Sequence, residues 1–198
     1  RRRDMTQQNS LSTEKENISK EKLLGGIGSI FMALSIITGE IGTLFGILGA
    51  VLWLTCLYLL SSKIKNSKIF NKALWGFVLG LLGWIIASIF GLMSFISFFA
   101  FSGFMGNVDR VGFGIGGGVI IAILLAYGIF IVANYFYQEV CKILALATNN
   151  KLFSTAGLLM LIGAYSAILL IGLIIWMAGW IILAVAFFTV PDEIEVKV

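Results

Sequence analysis

The sequence predicts an all-α fold, a polytopic transmembrane helical bundle, from its composition and from the length of its apolar runs. Of the 198 residues, 59% are hydrophobic and 12% are charged, whereas a soluble domain is about half apolar and about a quarter charged. Several apolar runs reach the roughly 20 residues that a helix needs to cross a bilayer. The single proline, Pro191, follows the last of them, and 23 glycines favour close helix packing.

The apolar runs predict about six spans, built as hairpins. Gly39 and Glu40 interrupt the first long run, which indicates a turn between two spans. The last run, residues 152–190, would reach roughly 50 Å as one helix, against a hydrocarbon core of about 30 Å, so it is also a hairpin. The predicted segments are a polar N-terminal tail, the transmembrane domain and a polar C-terminal tail, at residues 1–21, 22–190 and 191–198.

A weak internal repeat supports the second hairpin. Shifting the chain by about 130 residues aligns residues 22–60 with residues 151–190 and places Gly42 on Gly172. A duplicated hairpin gives six spans, and five spans is the alternative.

The basic residues predict the orientation. With six spans, residues 1–22 hold six Lys or Arg, residues 61–72 hold four, residues 141–151 hold two and the C-terminal tail holds one. The positive-inside rule therefore predicts a multi-pass protein of the cell membrane with a cytoplasmic N-terminus. Five spans would move only the C-terminal tail to the other side.

Glycines recur on one face of the second and third predicted spans. They are Gly42, Gly46 and Gly49, followed by Gly76, Gly80, Gly83 and Gly91. Spacings of three and four place them on helical stripes, which predicts close helix packing. The stripes could contact other helices of this chain or a partner subunit, and the pattern does not choose between these.

The residues present argue against catalytic, cofactor and metal sites. The chain has no histidine, which removes the commonest metal ligand and general base. Its net charge of +4 comes from short polar segments rather than a basic patch with interleaved aromatics, so nucleic acid is not an expected partner. Cys56 and Cys141 do not indicate a disulfide framework.

A few charged residues are candidates for the entrance of an ion or solute path. On the predicted external side, these are Glu40, Asp109 and Arg110. A carboxylate in a tight turn between spans could bind a cation or proton, but a hydrated turn is the simpler interpretation. The glycine-rich residues 112–118 are predicted to form an external loop, with a segment that dips into the membrane as the alternative.

Polar residues near the predicted cytoplasmic end of the fourth span have a structural interpretation. Glu139 lies three residues before Lys142, which predicts an interfacial salt bridge. Asn134 and Gln138 precede it, and an aromatic belt is expected from Tyr135 and Tyr137. The span centres hold only Ser, Thr and Tyr as polar residues, which disfavours proton-coupled transport.

Three segments carry a resemblance to a known family: KLLGGIGSIFM, SKIFNKALWGFVLG, and KLFSTAGLLMLIGA with AVAFFTVP. There the chain resembles a largely archaeal membrane family catalogued as a domain of unknown function, over most of residues 22–191. The resemblance implies a small multi-span prokaryotic protein and assigns no catalytic residues.

Two functional hypotheses follow. The first is a non-catalytic structural or accessory subunit that packs through its glycine faces against a second copy of itself or against a larger membrane complex. An energy-converting complex is one example of such a partner. The alternative is a small permease or channel for an ion, lipid or apolar solute. An enzyme acting on lipid is less favoured because no nucleophile and base pair is visible. Membrane lipids and other membrane subunits, or self-association, are the expected partners.

Overall fold

The computed structural model describes residues 13–102 and 111–197 and confirms the all-α bundle. Within these ranges there are six α-helices: α1 (Ser19–Ser35), α2 (Gly42–Lys63), α3 (Ser67–Ser102), α4 (Val111–Thr148), α5 (Lys151–Ser166) and α6 (Ile171–Thr189). Short 3₁₀ turns, Gly39–Ile41 and Ala167–Leu169, join α1 to α2 and α5 to α6. Two short strands, β1 (Thr13–Asn17) and β2 (Glu193–Lys197), flank the helices.

The six helices form a closed up-and-down ring. Each helix packs antiparallel against its chain neighbours, and α6 returns to pack against α1. At this closure, a Cβ added to Gly25 would lie 2.6 Å from the ring of Phe187, so the two helices approach closely. The contact between α2 and α3 is the least extensive in the ring. We call this weakly packed boundary the α2–α3 seam.

The helix lengths fit a multi-pass membrane protein. Five helices are long and apolar enough to cross a membrane by length and composition. The remaining helix, α1, has 17 residues, or about 26 Å at 1.5 Å per residue, close to the thickness of the hydrocarbon core.

The strand pairing places both ends of the described chain on the same side. Strand β1 pairs antiparallel with β2, from Thr13 opposite Lys197 to Asn17 opposite Glu193. Because the two strands share one end of the bundle, an even number of helices runs between them along the chain. The six helices satisfy this condition, in agreement with the prediction of about six spans.

The two predicted hairpins turn in the same way. Gly42 begins α2 and Gly172 lies at the start of α6, and a Cβ on either would lie within 2.4 Å of a carbonyl oxygen in the preceding turn. Those carbonyls belong to Ser35 and Ser166, the last residues of α1 and α5. A glycine at this point therefore lets each hairpin reverse tightly. The first turn lies at Gly39 and Glu40, as predicted, and the second confirms that the last apolar run is a hairpin.

Ion pairs gather at the end of the bundle that holds the strands, which we call the lysine-rich end. The buried carboxylate of Glu21, in the first turn of α1, pairs with Lys63 at 2.8 Å. Further pairs at this end join Lys22 to Asp192, and Lys72 and Lys142 to Glu139. They join α1 to α2 and to the chain after α6, and they join α3 to α4.

The prediction of a loop at residues 112–118 is wrong. Helix α4 begins at Val111 and includes these residues. Glycine costs up to about 1 kcal/mol per residue in a helix, but an unsatisfied backbone group in hydrocarbon costs several kcal/mol. The helical hydrogen bonds therefore outweigh the preference of glycine for irregular backbone.

We expect the strand pairing to be detectable by disulfide trapping. Lys15 pairs with Glu195 across the two strands, and directly opposed residues have Cβ atoms about 5 Å apart. The double variant Lys15→Cys, Glu195→Cys should form an intramolecular disulfide under mild oxidation, seen as a gel shift that a reductant reverses. Both native cysteines are buried, so they should not interfere.

The control pairs Lys15→Cys with Thr43→Cys, a position at the opposite end of the bundle. It should not cross-link. Efficient maleimide labelling of both cysteines in the test variant, without cross-linking, would contradict the paired strands.

Candidate functional site

A cleft of about 950 Å³ lies inside the helix ring at the α2–α3 seam. Its walls come from α2, α3 and α4, with Trp176 of α6 and with Met32 and Ser35 of α1. It begins beside Tyr137, about 7.5 Å along α4 from Lys142 at the lysine-rich end. It ends at Gly39 and Gly42, at the opposite end of the bundle. The cleft therefore runs through most of the membrane-spanning depth.

Two glycines without close neighbours leave this space open. A Cβ on Gly46 would lie 3.5 Å from the Ser35 side chain, and one on Gly80 would lie 3.8 Å from the Tyr137 hydroxyl. Both distances are ordinary van der Waals contacts. By contrast, a Cβ on Gly76 would lie 2.7 Å from the Tyr137 ring, so α3 meets α4 closely there. The glycine at position 80 lines the cleft instead.

The side walls of the cleft are apolar and also face outward. Five large lining side chains are between 46% and 60% exposed: Ile47, Val51, Leu81, Trp84 and Ile123. Side chains that line the cleft and remain this exposed mark a lateral opening along the seam. Among the described lining residues none carries a charge.

Asn134 and Tyr127, two polar residues of the lining, are held by hydrogen bonds within the bundle. Asn134 is 1% exposed; its Oδ1 accepts a 2.7 Å hydrogen bond from Trp176 Nε1, and its Nδ2 donates to the Phe130 carbonyl at 2.9 Å. The hydroxyl of Tyr127 donates to the carbonyl of Tyr165 on α5. These bonds fix α4 against α5 and α6, on the wall opposite the seam.

An aromatic cluster closes the cleft toward the lysine-rich end. Trp53, Tyr137 and Trp180 meet edge to face, with ring centroids 5.2 to 6.1 Å apart. All three side chains are buried, and such pairs add stability beyond their buried area. The indole N–H groups of Trp53 and Trp180 find no hydrogen-bond partner among the described residues. The cluster is therefore a well-packed apolar plug with two unsatisfied donors.

The proposed entrance residues are placed only in part. Glu40 lies in the 3₁₀ turn between α1 and α2, next to Gly39 at the mouth of the cleft. Asp109 and Arg110 lie outside the described residues. In 13–102 and 111–197, no group of three or more His, Cys, Asp or Glu residues could hold a metal ion.

The predicted packing glycines fall into different environments. Gly42 and Gly49 approach the backbone of α1 within the first hairpin, and Gly83 approaches Ile129 on α4. Gly91 lies in α3, and Gly46 and Gly80 line the cleft. With Gly76, which meets the Tyr137 ring, six of the seven therefore have a close neighbour or a cavity on their free face inside this chain. That these faces dock a partner subunit stays a prediction.

The interpretation of the polar residues on α4 is correct for one group and wrong for another. Glu139 pairs with Lys142 at 3.1 Å, as predicted, and also with Lys72. Tyr135 is exposed, as a belt residue should be, but Tyr137 is 7% exposed and packs in the core. The burial of Asn134 was not predicted, although an amide within an apolar span is a signal for it.

Loss of the Asn134 and Trp176 hydrogen bond should destabilise the bundle in a non-additive way. Asn134→Leu leaves a buried indole donor unpaired and Trp176→Phe leaves a buried amide oxygen unpaired, whereas the double variant removes both. We expect a coupling energy of about 0.6 to 1.7 kcal/mol, the range for such pairs in membranes. Reversible unfolding in mixed detergent micelles measures it, and strictly additive losses would contradict the bond.

Comparison with known proteins gives a family. The family described as "Protein of unknown function (DUF996)" matches residues 45–181. The "Uncharacterized protein MJ1644" of Methanocaldococcus jannaschii is 28% identical over 185 residues, which cover 91% of this chain and 97% of that protein. No solved structure matches the chain. These findings confirm the resemblance seen in the sequence, and the chain belongs to the DUF996 family.

Proposed function

We propose that this protein binds a lipid or lipid-like apolar molecule in the cleft at the α2–α3 seam and acts as a small permease for it. The observation that carries the proposal is the cleft itself, about 950 Å³ of apolar-lined space inside a membrane-spanning ring. Cavities for small molecules measure roughly 300 to 1,000 Å³. The space is thus at the upper end of that range, which suits an elongated chain.

The lining chemistry favours a lipid over an ion. An ion leaving water needs charged groups or a ring of oxygen ligands to replace its hydration shell. The described lining residues carry no charge, and Asn134 and Tyr127 already bond to protein groups. An apolar chain requires no charged group or oxygen ligand, and contact with the apolar wall residues stabilises its binding.

The lateral opening supplies a route. Val51 of α2 and Leu81 of α3 line the cleft at the seam and are half exposed. A molecule dissolved in the bilayer could therefore enter sideways, without crossing a polar surface. Movement of α2 relative to α3 is the least costly opening of the ring, since their contact is the smallest.

The other hypotheses have less support. An accessory subunit that docks through its glycine faces would need those faces free, and most of the glycines have neighbours within this chain. The absence of enzymatic activity and the presence of partner subunits stay predictions. The lysine-rich end is the proposed cytoplasmic side, by the positive-inside rule, and Glu40 then lies at an external mouth.

Filling the cleft should remove the bound lipid. Gly80→Leu adds a side chain at a position where a Cβ fits and the rest extends into the cleft. Gly128→Leu is the matched control because Gly128 has no neighbour within 4 Å and does not line the cleft. We expect wild type and Gly128→Leu to retain lipid through gentle purification, and Gly80→Leu to retain about tenfold less, equivalent to about 1.4 kcal/mol.

Native mass spectrometry counts the retained lipid, and thermal unfolding confirms that both variants fold. Transfer of a labelled lipid in proteoliposomes should follow the same order. Equal retention by the two leucine variants would contradict the proposal. Stoichiometric co-purification of another subunit, without lipid in the wild type, would favour the accessory-subunit hypothesis instead.

A further inference from the structure

We infer that the Tyr137 hydroxyl anchors the head of the bound molecule, which is an uncharged amphipathic lipid with a hydroxyl, carbonyl or ester oxygen. This inference rests on the proposed lipid-binding function and names its ligand class. It depends on three properties of the cleft. Tyr137 has a fixed position, other polar lining groups already make hydrogen bonds within the protein, and the described lining residues carry no charge.

The Tyr137 ring is held in place at the floor of the cleft. Its edge-to-face contacts with Trp53 and Trp180 have centroid distances of 5.2 and 6.1 Å. On the other side, Gly76 of α3 allows the ring to approach so closely that an added Cβ would lie 2.7 Å from it. The hydroxyl points past these contacts to Gly80, where it borders the cleft. Its position is therefore preorganised, which lowers the cost of binding.

The hydroxyl is an unused hydrogen-bonding group. The Tyr137 side chain is more than nine-tenths buried, and its hydroxyl makes no hydrogen bond with the described part of the protein. Three other lining groups do: Ser35 donates to a carbonyl on α1, Tyr127 donates to α5, and Asn134 bonds to Trp176. The hydroxyl borders the cleft rather than the packed interior, so a ligand oxygen in the cleft can form a hydrogen bond with it.

The charge of the site decides the class of head group. A phosphate or ammonium head at the floor would be desolvated without a counter-charge, which is costly. Lys72 and Lys142, on the adjoining helix ends, are both already paired with Glu139 at 3.1 Å. An uncharged oxygen needs only one hydrogen bond. The chain of such a lipid then extends from Tyr137 along the apolar walls toward the seam.

Three alkyl probes of equal length separate these contributions: dodecane, 1-dodecanol and dodecyl phosphate. Binding to purified protein is measured by native mass spectrometry titration. Wild type should bind dodecanol about two- to tenfold more tightly than dodecane, the effect of one hydrogen bond. Dodecyl phosphate should bind no better than dodecane.

Conservative variants test whether the preference for dodecanol over dodecane comes from the Tyr137 hydroxyl. Tyr137→Phe keeps the ring and should bind dodecanol and dodecane equally. Tyr127→Phe is the matched control, since Tyr127 also lines the cleft but already donates to Tyr165; it should keep the preference. Gly80→Leu should weaken binding of every probe.

The outcomes distinguish failure of the Tyr137 anchor from failure of the proposed lipid binding. An unchanged dodecanol preference in Tyr137→Phe, or tightest binding of dodecyl phosphate, would overturn the anchor while leaving the lipid cleft intact. Binding of no probe by wild type, or binding unaffected by Gly80→Leu, would overturn the proposed function and the anchor with it.

Discussion

Close approach of helix backbones through glycine is the constraint on which the rest of this bundle depends. Lipid tails are as apolar as leucine side chains, so helices in a bilayer associate through packing and hydrogen bonds rather than through hydrophobic burial. Gly49 brings α2 against α1, Gly83 brings α3 against α4, and Gly163 brings α5 against α6, where an added Cβ would overlap the Trp176 backbone. These contacts make three tight hairpins.

The cleft lies where close helix contacts through glycine are missing. The contact between the first hairpin and α3 is small. The glycines that face this gap are Gly46 and Gly80, and a Cβ on either would have no neighbour closer than 3.5 Å. The same residue type therefore closes the ring in some places and opens it here. The ion pairs and the aromatic plug at the lysine-rich end then leave the cleft accessible from the bilayer and from the opposite end.

Much of the fold was predictable from the sequence because hydrocarbon imposes length and composition on each span. The hairpin turns followed from Gly39 and from the excess length of the last run, and both lie where expected. The helical start of α4 was missed because glycine preferences measured in water do not apply in hydrocarbon. Pairing of β1 with β2 joins segments about 180 residues apart, beyond any local pattern. For the site, Glu40 lies in the turn that the sequence predicts, but Tyr137 and Asn134 were not identified, since periodicity does not show which face meets a cavity.

The most direct test of the account is a cryo-electron microscopy structure of the protein in lipid nanodiscs, at a resolution that shows bound lipid. The account predicts separated outer halves of α2 and α3, with elongated density that enters between them and ends at the Tyr137 hydroxyl. A structure in which α2 and α3 pack against each other at Gly46 and Gly80, and in which no space remains between these helices, would contradict it.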